Sequence, residues 1–199
     1  MKAEKQAEII IVGAGPVALF AVFQLGLFGF KCHLIDAFEC PGGQCRMWYP
    51  DKPIFDVPGF SSITGEELID RLLDQIAPYN PVFHGDQVVK SLNETISGIG
   101  IATDKGMTLN ADAVVIASGL GALATDGGVV RPDPTTMWGL ERKGNAIAVD
   151  TETFATSRPR VFAIGDACQY PGKLKLILSG FHEAAMMTQT VRRTVSQNA

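Results

Sequence analysis

The sequence predicts an α/β fold in three layers, with a central parallel sheet and an antiparallel β-meander. Three observations predict it. Short runs dominated by apolar residues at 9–12, 32–36 and 160–164 have the length and composition of strands buried on both faces, as parallel strands are. A glycine turn and a helix-length segment separate the first two, which makes a β-α-β unit of the usual length of about 30 residues. Between residues 82 and 116 the pattern changes to short alternating segments. Turn signals at Asn93-Glu94 and Asp104-Lys105-Gly106 mark a meander that rejoins the sheet at 113–117.

Taken in order, residues 9–30 are apolar enough to suggest a membrane span, with Gln24 the only strongly polar side chain. Four glycines and Pro16 instead divide the stretch into strand, turn and helix. Glu4 and Glu8 are wrong for a basic leader, so neither a span nor an export signal is expected. The helix runs from 16 to 28, is apolar around its whole circumference, and so must be covered by other elements before Gly29 ends it. Residues 37–62 are rich in Gly and Pro without a steady period, and form a long loop of the kind that carries function. A second helix follows over 61–78, with Thr64 as cap, Glu66 and Glu67 near its positive end, and Leu68, Leu72 and Ile76 on one face. The closing helix spans 179–197 with a stripe of Phe181, Ala184, Ala185, Thr188 and Val191; Met186 and Met187 fall on its flank and core. Residues 118–137 are small and glycine-rich, and suit a linker.

A chain of 199 residues can bury one substantial core. With 46% apolar residues, 19% charged residues and a net charge of -4, it reads as soluble and globular, and nucleic acid is not an expected partner. Four cysteines (Cys32, Cys40, Cys45, Cys168) without an export signal indicate reduced thiols and a cytoplasmic location. His33, His84 and His182 lack metal-ligand spacing, the cysteines form no zinc pattern, and no metal is expected.

The chemistry-bearing motif is Gly13-x-Gly15-x-x-Ala18, placed between the first strand and the first helix. Its first glycine permits the tight turn, its second lets a pyrophosphate approach the backbone, and the small third residue lets helix and strand pack closely. The helix opens at Pro16 and Val17, where N–H groups without intrahelical partners make an anion site. Asp36 ends the second strand, where a carboxylate can accept hydrogen bonds from ribose hydroxyls. This is a dinucleotide site of Rossmann type, and the motif alone accepts either FAD or NAD.

Residues 156–166 (TSRPRVFAIGD) resemble the second flavin fingerprint of flavoproteins with two dinucleotide domains, in which a strand delivers an Asp to the ribityl chain. Together with Pro41-Gly42-Gly43-Gln44, Trp48-Tyr49-Pro50-Asp51-Lys52 and residues 170–181, they resemble the thioredoxin-reductase-like ferredoxin-NADP reductases over 8–123 and 136–195. The resemblance implies an FAD-binding domain and an oxidoreductase. It implies FAD contacts from Gly13, Gly15, Pro16, Val17, Asp36, Ala37, Gly43, Gln44, Tyr49, Val89, Ala117, Ser118, Gly119, Gly165, Asp166 and Ser179. Tyr49 would stack on the isoalloxazine, worth about 0.5–1.5 kcal/mol beyond area burial. The closing helix would aim its first amides at the flavin. Ala117-Ser118-Gly119 stands where the family usually carries Ala-Thr-Gly. The resemblance also implies a homodimer, and ferredoxin or a separate reductase as redox partner.

The family inserts an NADP-binding domain between the two stretches of the FAD domain, and here no second glycine fingerprint opens an apolar helix. The expected organisation is one FAD-binding domain over 1–199, formed by 1–120 and 136–199 and joined by a linker at 121–135. Electrons would then pass through the flavin without an NAD(P)H-binding domain, and no catalytic side chain is assigned. The alternatives are a non-catalytic FAD-binding module or domain-deleted remnant, or an enzyme completed by a separate NADP-binding chain. Cys45 follows a Gly-Gly pair as the first redox cysteine of disulfide reductases does, but its partner position is Pro50, so Cys40 and Cys45 are expected to be small buried side chains. His182 is expected at the surface. Lys173 and Lys175 are expected on a solvated edge.

Overall fold

Ile9, Ile10 and Ile11 are all wholly buried, which a strand achieves only when both faces of its sheet are covered. The computed structural model describes residues 5–96, 98–119 and 133–196. In chain order they form β1 (Lys5–Val12), α1 (Pro16–Gly26), β2 (Cys32–Ile35), α2 (Gly43–Met47), β3 (Pro53–Ile54), β4 (Ile63–Thr64), α3 (Gly65–Ile76) and β5 (Val82–His84). There follow β6 (Val89–Thr95), β7 (Gly98–Thr103), β8 (Thr108–Ile116), β9 (Arg142–Lys143), β10 (Ala146–Ala148), β11 (Val161–Ala163), β12 (Cys168–Gln169) and α4 (Ile177–Ser196).

The main sheet runs β5-β2-β1-β8-β7-β6. β5, β2, β1 and β8 are parallel, whereas β8, β7 and β6 are antiparallel. β8 joins the two halves because its ends have different neighbours. Its first residues pair with β7, Ala111 against Ile99, and its last three pair with the parallel strand β11, Ile116 against Ala163. A small sheet of β12, β10 and β9 lies beside this branch.

Alternate side chains of the strands build two cores. Ile9, Ile11, Leu34, Ala113 and Val115 point to α1, α3 and α4 and pack with Leu25, Ile69, Ala184 and Val191. Ile10, Ile35, Val114 and Ile116 point the other way, to Leu92 and Ile101 of the meander and to Trp138 and Ile147. Helices, sheet and meander are therefore the three layers, each fully buried Ile or Leu contributing about 1.5–3 kcal/mol. This is the fold class the sequence predicts.

The apolar stretch 9–30 resolves into β1, a turn and an eleven-residue helix. Among the described residues no helix is long and apolar enough to cross a membrane. α1 ends two residues earlier than its apolar pattern suggests, leaving Leu27 and Phe28 exposed, with the Arg192 guanidinium 4.8 Å from the Phe28 ring. Thr64 caps α3 in a complete capping box: Glu67 N–H donates to Thr64 Oγ1 (3.2 Å) and Thr64 N–H to Glu67 Oε2 (3.0 Å).

Three local expectations are corrected. Residues 82–84 join β2 as the outer parallel strand instead of opening the meander. Asn93 and Glu94 sit inside β6, paired with Gly100 and Ile99, so the turn lies between Thr95 and Gly98. A Cβ on Gly98 would stand 2.9 Å from the Ala111 carbonyl carbon, which is why glycine takes this place beside β8. The loop 37–62 also contains α2 and β3. Of the expected linker, residues 121–132 lie outside the described residues. Asp133 is anchored at the return: it caps the 3₁₀ turn Pro134–Met137 and pairs with Arg142 at 3.0 Å.

Candidate functional site

Two clefts open at the carboxyl ends of the parallel strands, and it is at β1 and β8, paired to their last residues, that the strand order reverses direction. In open α/β sheets this switch point is where ligands bind. Gly13 sits at its centre with φ +108°, and its N–H donates to Ile35 O (2.8 Å). A Cβ there would stand 2.8 Å from the Ala117 carbonyl carbon, so only glycine lets the ends of β1 and β8 meet. Gly15 has ordinary extended dihedrals, yet a Cβ on it would meet nothing within 4 Å. It precedes α1 with no side-chain cap and no acidic residue in the first turn, Pro16 being the first helical residue. The helix therefore presents N–H groups and positive partial charge to open space, which fits a phosphate.

Asp36 closes one end of this turn. Its Oδ2 accepts from Ala14 N–H (2.6 Å) and its Oδ1 from Phe38 N–H (2.9 Å). Burial pushes its carboxyl up from the ordinary range, against the opposing pull of those amides. A carboxylate offers about four lone-pair sites, so room remains for two hydroxyl donors. Asp36, Phe38, Phe83 and His84 line the smaller cleft. The stretch before Val89 is tied to it by Asp86 N–H to Phe38 O (3.0 Å) and Gln87 N–H to Asp36 O (2.9 Å). Val89 itself is buried in the core under the meander, so any ligand contact it makes is through its backbone. Ala37 is exposed beside Asp36.

At the other end, Ser118, Gly119 and Asp166 line the larger cleft. Gly43, at the start of α2, packs so close to Gly15 that a Cβ would be 3.0 Å from the Gly15 Cα. Tyr49 O–H donates to Gln44 Oε1 (2.6 Å), which fixes the ring, and Lys52 Nζ stands 5.3 Å from the ring centroid. Burial, then Cys45 and Asp166, push the Tyr49 phenol up, so it remains a neutral donor. Val17 packs on Gly165, which has φ +67°, and on Gly180. The two distant stretches thus meet at particular contacts: Gly43 on Gly15, Val17 on Gly165 and Gly180, and Gly119 beside the Gln44 side chain.

α4 begins at Ile177, two residues before the expected start, because Asp56 caps it across the loop. Asp56 Oδ2 accepts from Ile177 N–H (2.7 Å) and Leu178 N–H (3.4 Å), and Ser179 lies half-buried in the first turn. Lys173 is not on a solvated edge: its side chain is 1% exposed and ion-paired with Glu183, which is wholly buried. Lys175 is exposed. Cys45 is buried as expected, and burial raises its thiol, but Cys40 is exposed because it sits in the loop before α2. His182 is exposed, Met187 buried and Met186 partly exposed. Among the described residues no group of three or more His, Cys, Asp or Glu could hold a metal.

Sequence reasoning missed Asp56, Glu183 and the His33–His84 pair, whose Nδ1 and Nε2 are 3.0 Å apart. The last bridges β2 and β5, and recognising 82–84 as a parallel strand would have found it.

No protein-family model matches the chain. A ferredoxin–NADP reductase from Mesorhizobium japonicum is 32% identical over 312 residues, covering 95% of this chain and 91% of that protein. Since 312 exceeds the 199 residues here, that alignment contains a gap in this chain. The ferredoxin–NADP reductase of Rhodospirillum rubrum is 50% identical over 122 residues, 59% of this chain and 35% of that one. Among solved structures, a T. acidophilum thioredoxin reductase superposes with TM-score 0.77 at 17% identity, over 98% of this chain and 99% of the other. A ferredoxin-flavin thioredoxin reductase from Clostridium acetobutylicum gives TM-score 0.78 at 13% identity, over 98% and 99%. These likenesses give the fold.

Proposed function

The chain belongs to the ferredoxin–NADP reductase family, and from that membership we propose that it binds FAD and passes electrons through it without an NAD(P)H-binding domain of its own. The carrying observation is the uncapped α1 terminus behind Gly15, with Asp36 bonded to the same turn and lining one cleft, and Gly119 and Asp166 lining the other. That span suits an extended dinucleotide with a pyrophosphate at its middle.

Each residue has a task the geometry supports. Val17 and Ala18 offer amides to the pyrophosphate, while Gly13 keeps the turn narrow enough for it to approach. Asp36 accepts the adenosine ribose hydroxyls, and the backbone near Val89 borders the adenine. Gln44 holds the Tyr49 ring in place against the isoalloxazine, and the aromatic face excludes water. Asp166 would hold the ribityl hydroxyls from the end of β11, and Ser179 would stand near the pyrimidine edge, although Asp56 takes the first two amides of α4 and so offsets the positive end of that helix. When bound, FAD supplies one- and two-electron redox chemistry that no side chain here provides.

The absence of a second glycine fingerprint in the sequence, together with the 312-residue alignment of a 199-residue chain, supports electrons arriving from another protein or a free reductant. Ferredoxin, a separate reductase chain and a homodimer are proposed from the family, as is a cytoplasmic location. The test is the visible spectrum of the purified chain. Flavin bands that survive gel filtration and are not bleached by NADPH, but are bleached by dithionite, are expected. A colourless protein that takes up no FAD refutes the cofactor, and saturable NADPH oxidation at ordinary reductase rates refutes the missing nicotinamide site.

A further inference from the structure

We infer that Glu183 is a positioning residue for the cofactor: from inside α4 it holds the turn that presents Asp166, acting through the backbone N–H of Gly165. This rests on the FAD reading above. Gly165 N–H donates to Glu183 Oε2 at 2.6 Å, and Cys168 Sγ, at the far end of the same turn, lies 3.7 Å from that oxygen and 3.3 Å from Gly165 O. The other oxygen, Oε1, accepts from Tyr170 O–H (2.8 Å) and pairs with Lys173 Nζ. Three donors thus bind a wholly buried carboxylate, with the Cys168 sulfur in longer contact, and Gly165 and Cys168 bracket Asp166.

The cluster does not read as a device for stability alone. A buried ion pair generally contributes no more than an apolar pair of the same shape, because both charges are stripped of water. What this pair does that apolar groups cannot is offer a fixed acceptor to the Gly165 amide. Gly165 stands at φ +67°, where the chain turns out of β11, and Val17 of α1 packs against it. The amide bond fixes the direction in which the next residue leaves, and the next residue is Asp166, on the lining of the larger cleft. Lys173 and Tyr170 hold the other oxygen, so the carboxylate stays aimed at the Gly165 amide. Burial and Glu183 raise both the Tyr170 phenol and the Cys168 thiol, the latter to about 12, so both stay protonated donors.

Two double variants of the full chain separate the acceptor from the charge. Lys173→Met with Glu183→Gln, and Lys173→Met with Glu183→Leu, both remove the ion pair, and only the first keeps an acceptor for Gly165 N–H. FAD fluorescence quenching is expected to give a dissociation constant at least about tenfold higher for the leucine variant than for the glutamine variant. The melting temperatures of the two apoproteins should agree within a few degrees. The midpoint potential of bound FAD should stay at the wild-type value in the glutamine variant and move in the leucine variant. Equal affinities and potentials in two folded variants would overturn the assignment. Should the leucine variant not fold, amide hydrogen exchange on wild-type apoprotein decides: the Gly165 amide is expected to be as protected as those of β11, and exchange at free-peptide rates would overturn the assignment. A wild-type chain that binds no FAD would refute the cofactor reading alone, because the exchange result stands without it.

Discussion

Gly13→Ala and Gly15→Ala are expected to break different things, although they lie two residues apart in one turn. At Gly13 the backbone stands at φ +108°, where a side chain costs about 1–2 kcal/mol. The new Cβ would also lie 2.8 Å from the Ala117 carbonyl carbon, so the seam between β1 and β8 must open, at about 1–3 kcal/mol for overpacking. Together these destabilise the apoprotein by about 2–5 kcal/mol, a fall in melting temperature of about 5–20 °C for a domain of this size. At Gly15 φ is -76° and ψ -179°, open to any residue, and the Cβ touches nothing within 4 Å. The gain of about 0.4–1 kcal/mol from a stiffer unfolded chain offsets alanine's poorer capping, so the apoprotein should melt within about 4 °C of wild type. FAD affinity should nevertheless fall about 10- to 100-fold, since the methyl group displaces a pyrophosphate from charge-assisted bonds to the α1 amides. Circular-dichroism melts of apoprotein and FAD fluorescence titrations measure the two effects. Wild-type FAD affinity in Gly15→Ala would refute the placement of the pyrophosphate, and a wild-type melt in Gly13→Ala would refute the packing argument.

Burial raises the Asp36 carboxyl, so the folded apoprotein holds this proton more tightly than the unfolded chain does. Asp36 therefore favours folding at low pH, and that contribution is lost as pH rises through the raised folded value. FAD affinity should run the other way, falling on acidification through the same range because ribose hydroxyls need the carboxylate; titrations at several pH values check this, and Asp36→Asn should flatten the profile. A thiol-reactive dye should label one cysteine rapidly, Cys40, while Cys32, Cys45 and Cys168 react only on unfolding, which peptide mapping will read. Arg160 stands at φ +63° just before β11, so Arg160→Gly should leave stability unchanged or raise it by up to about 1 kcal/mol, measured by urea unfolding.

Features set by the chain's own local geometry were legible. The β-α-β unit could be read because apolar runs, a glycine turn and a helix-length stretch each answer to short-range physics, and Thr64 with Glu67 announced the α3 cap. The limits of reading appear where tertiary contact overrides local signal. Asn93-Glu94 looks like a turn, but pairing with Gly100 and Ile99 extends β6 through it, and the turn falls next to Gly98, where only glycine fits against Ala111. Residues 82–84 look the same whether they open a meander or edge a parallel sheet, and proximity to β2 decides.

The site divides along the same line. Gly13, Gly15, Asp36 and Asp166 stand at or just beyond the ends of strands, so residue type and spacing suffice to place them. Asp56 and Glu183 act across the fold: Asp56 lies in a loop and finds its amides at Ile177 and Leu178, far along the sequence, with nothing near it in the chain to reveal them. Glu183 stands on the buried face of α4 four residues before Met187, a place where a charged side chain is costly unless it is fully paired. That conflict is itself the one readable signal. A carboxylate on an otherwise apolar helical stripe, ten residues after a lysine at the end of a Tyr-Pro-Gly turn, implies a partner inside the protein, and the partner proves to be the turn that carries Asp166.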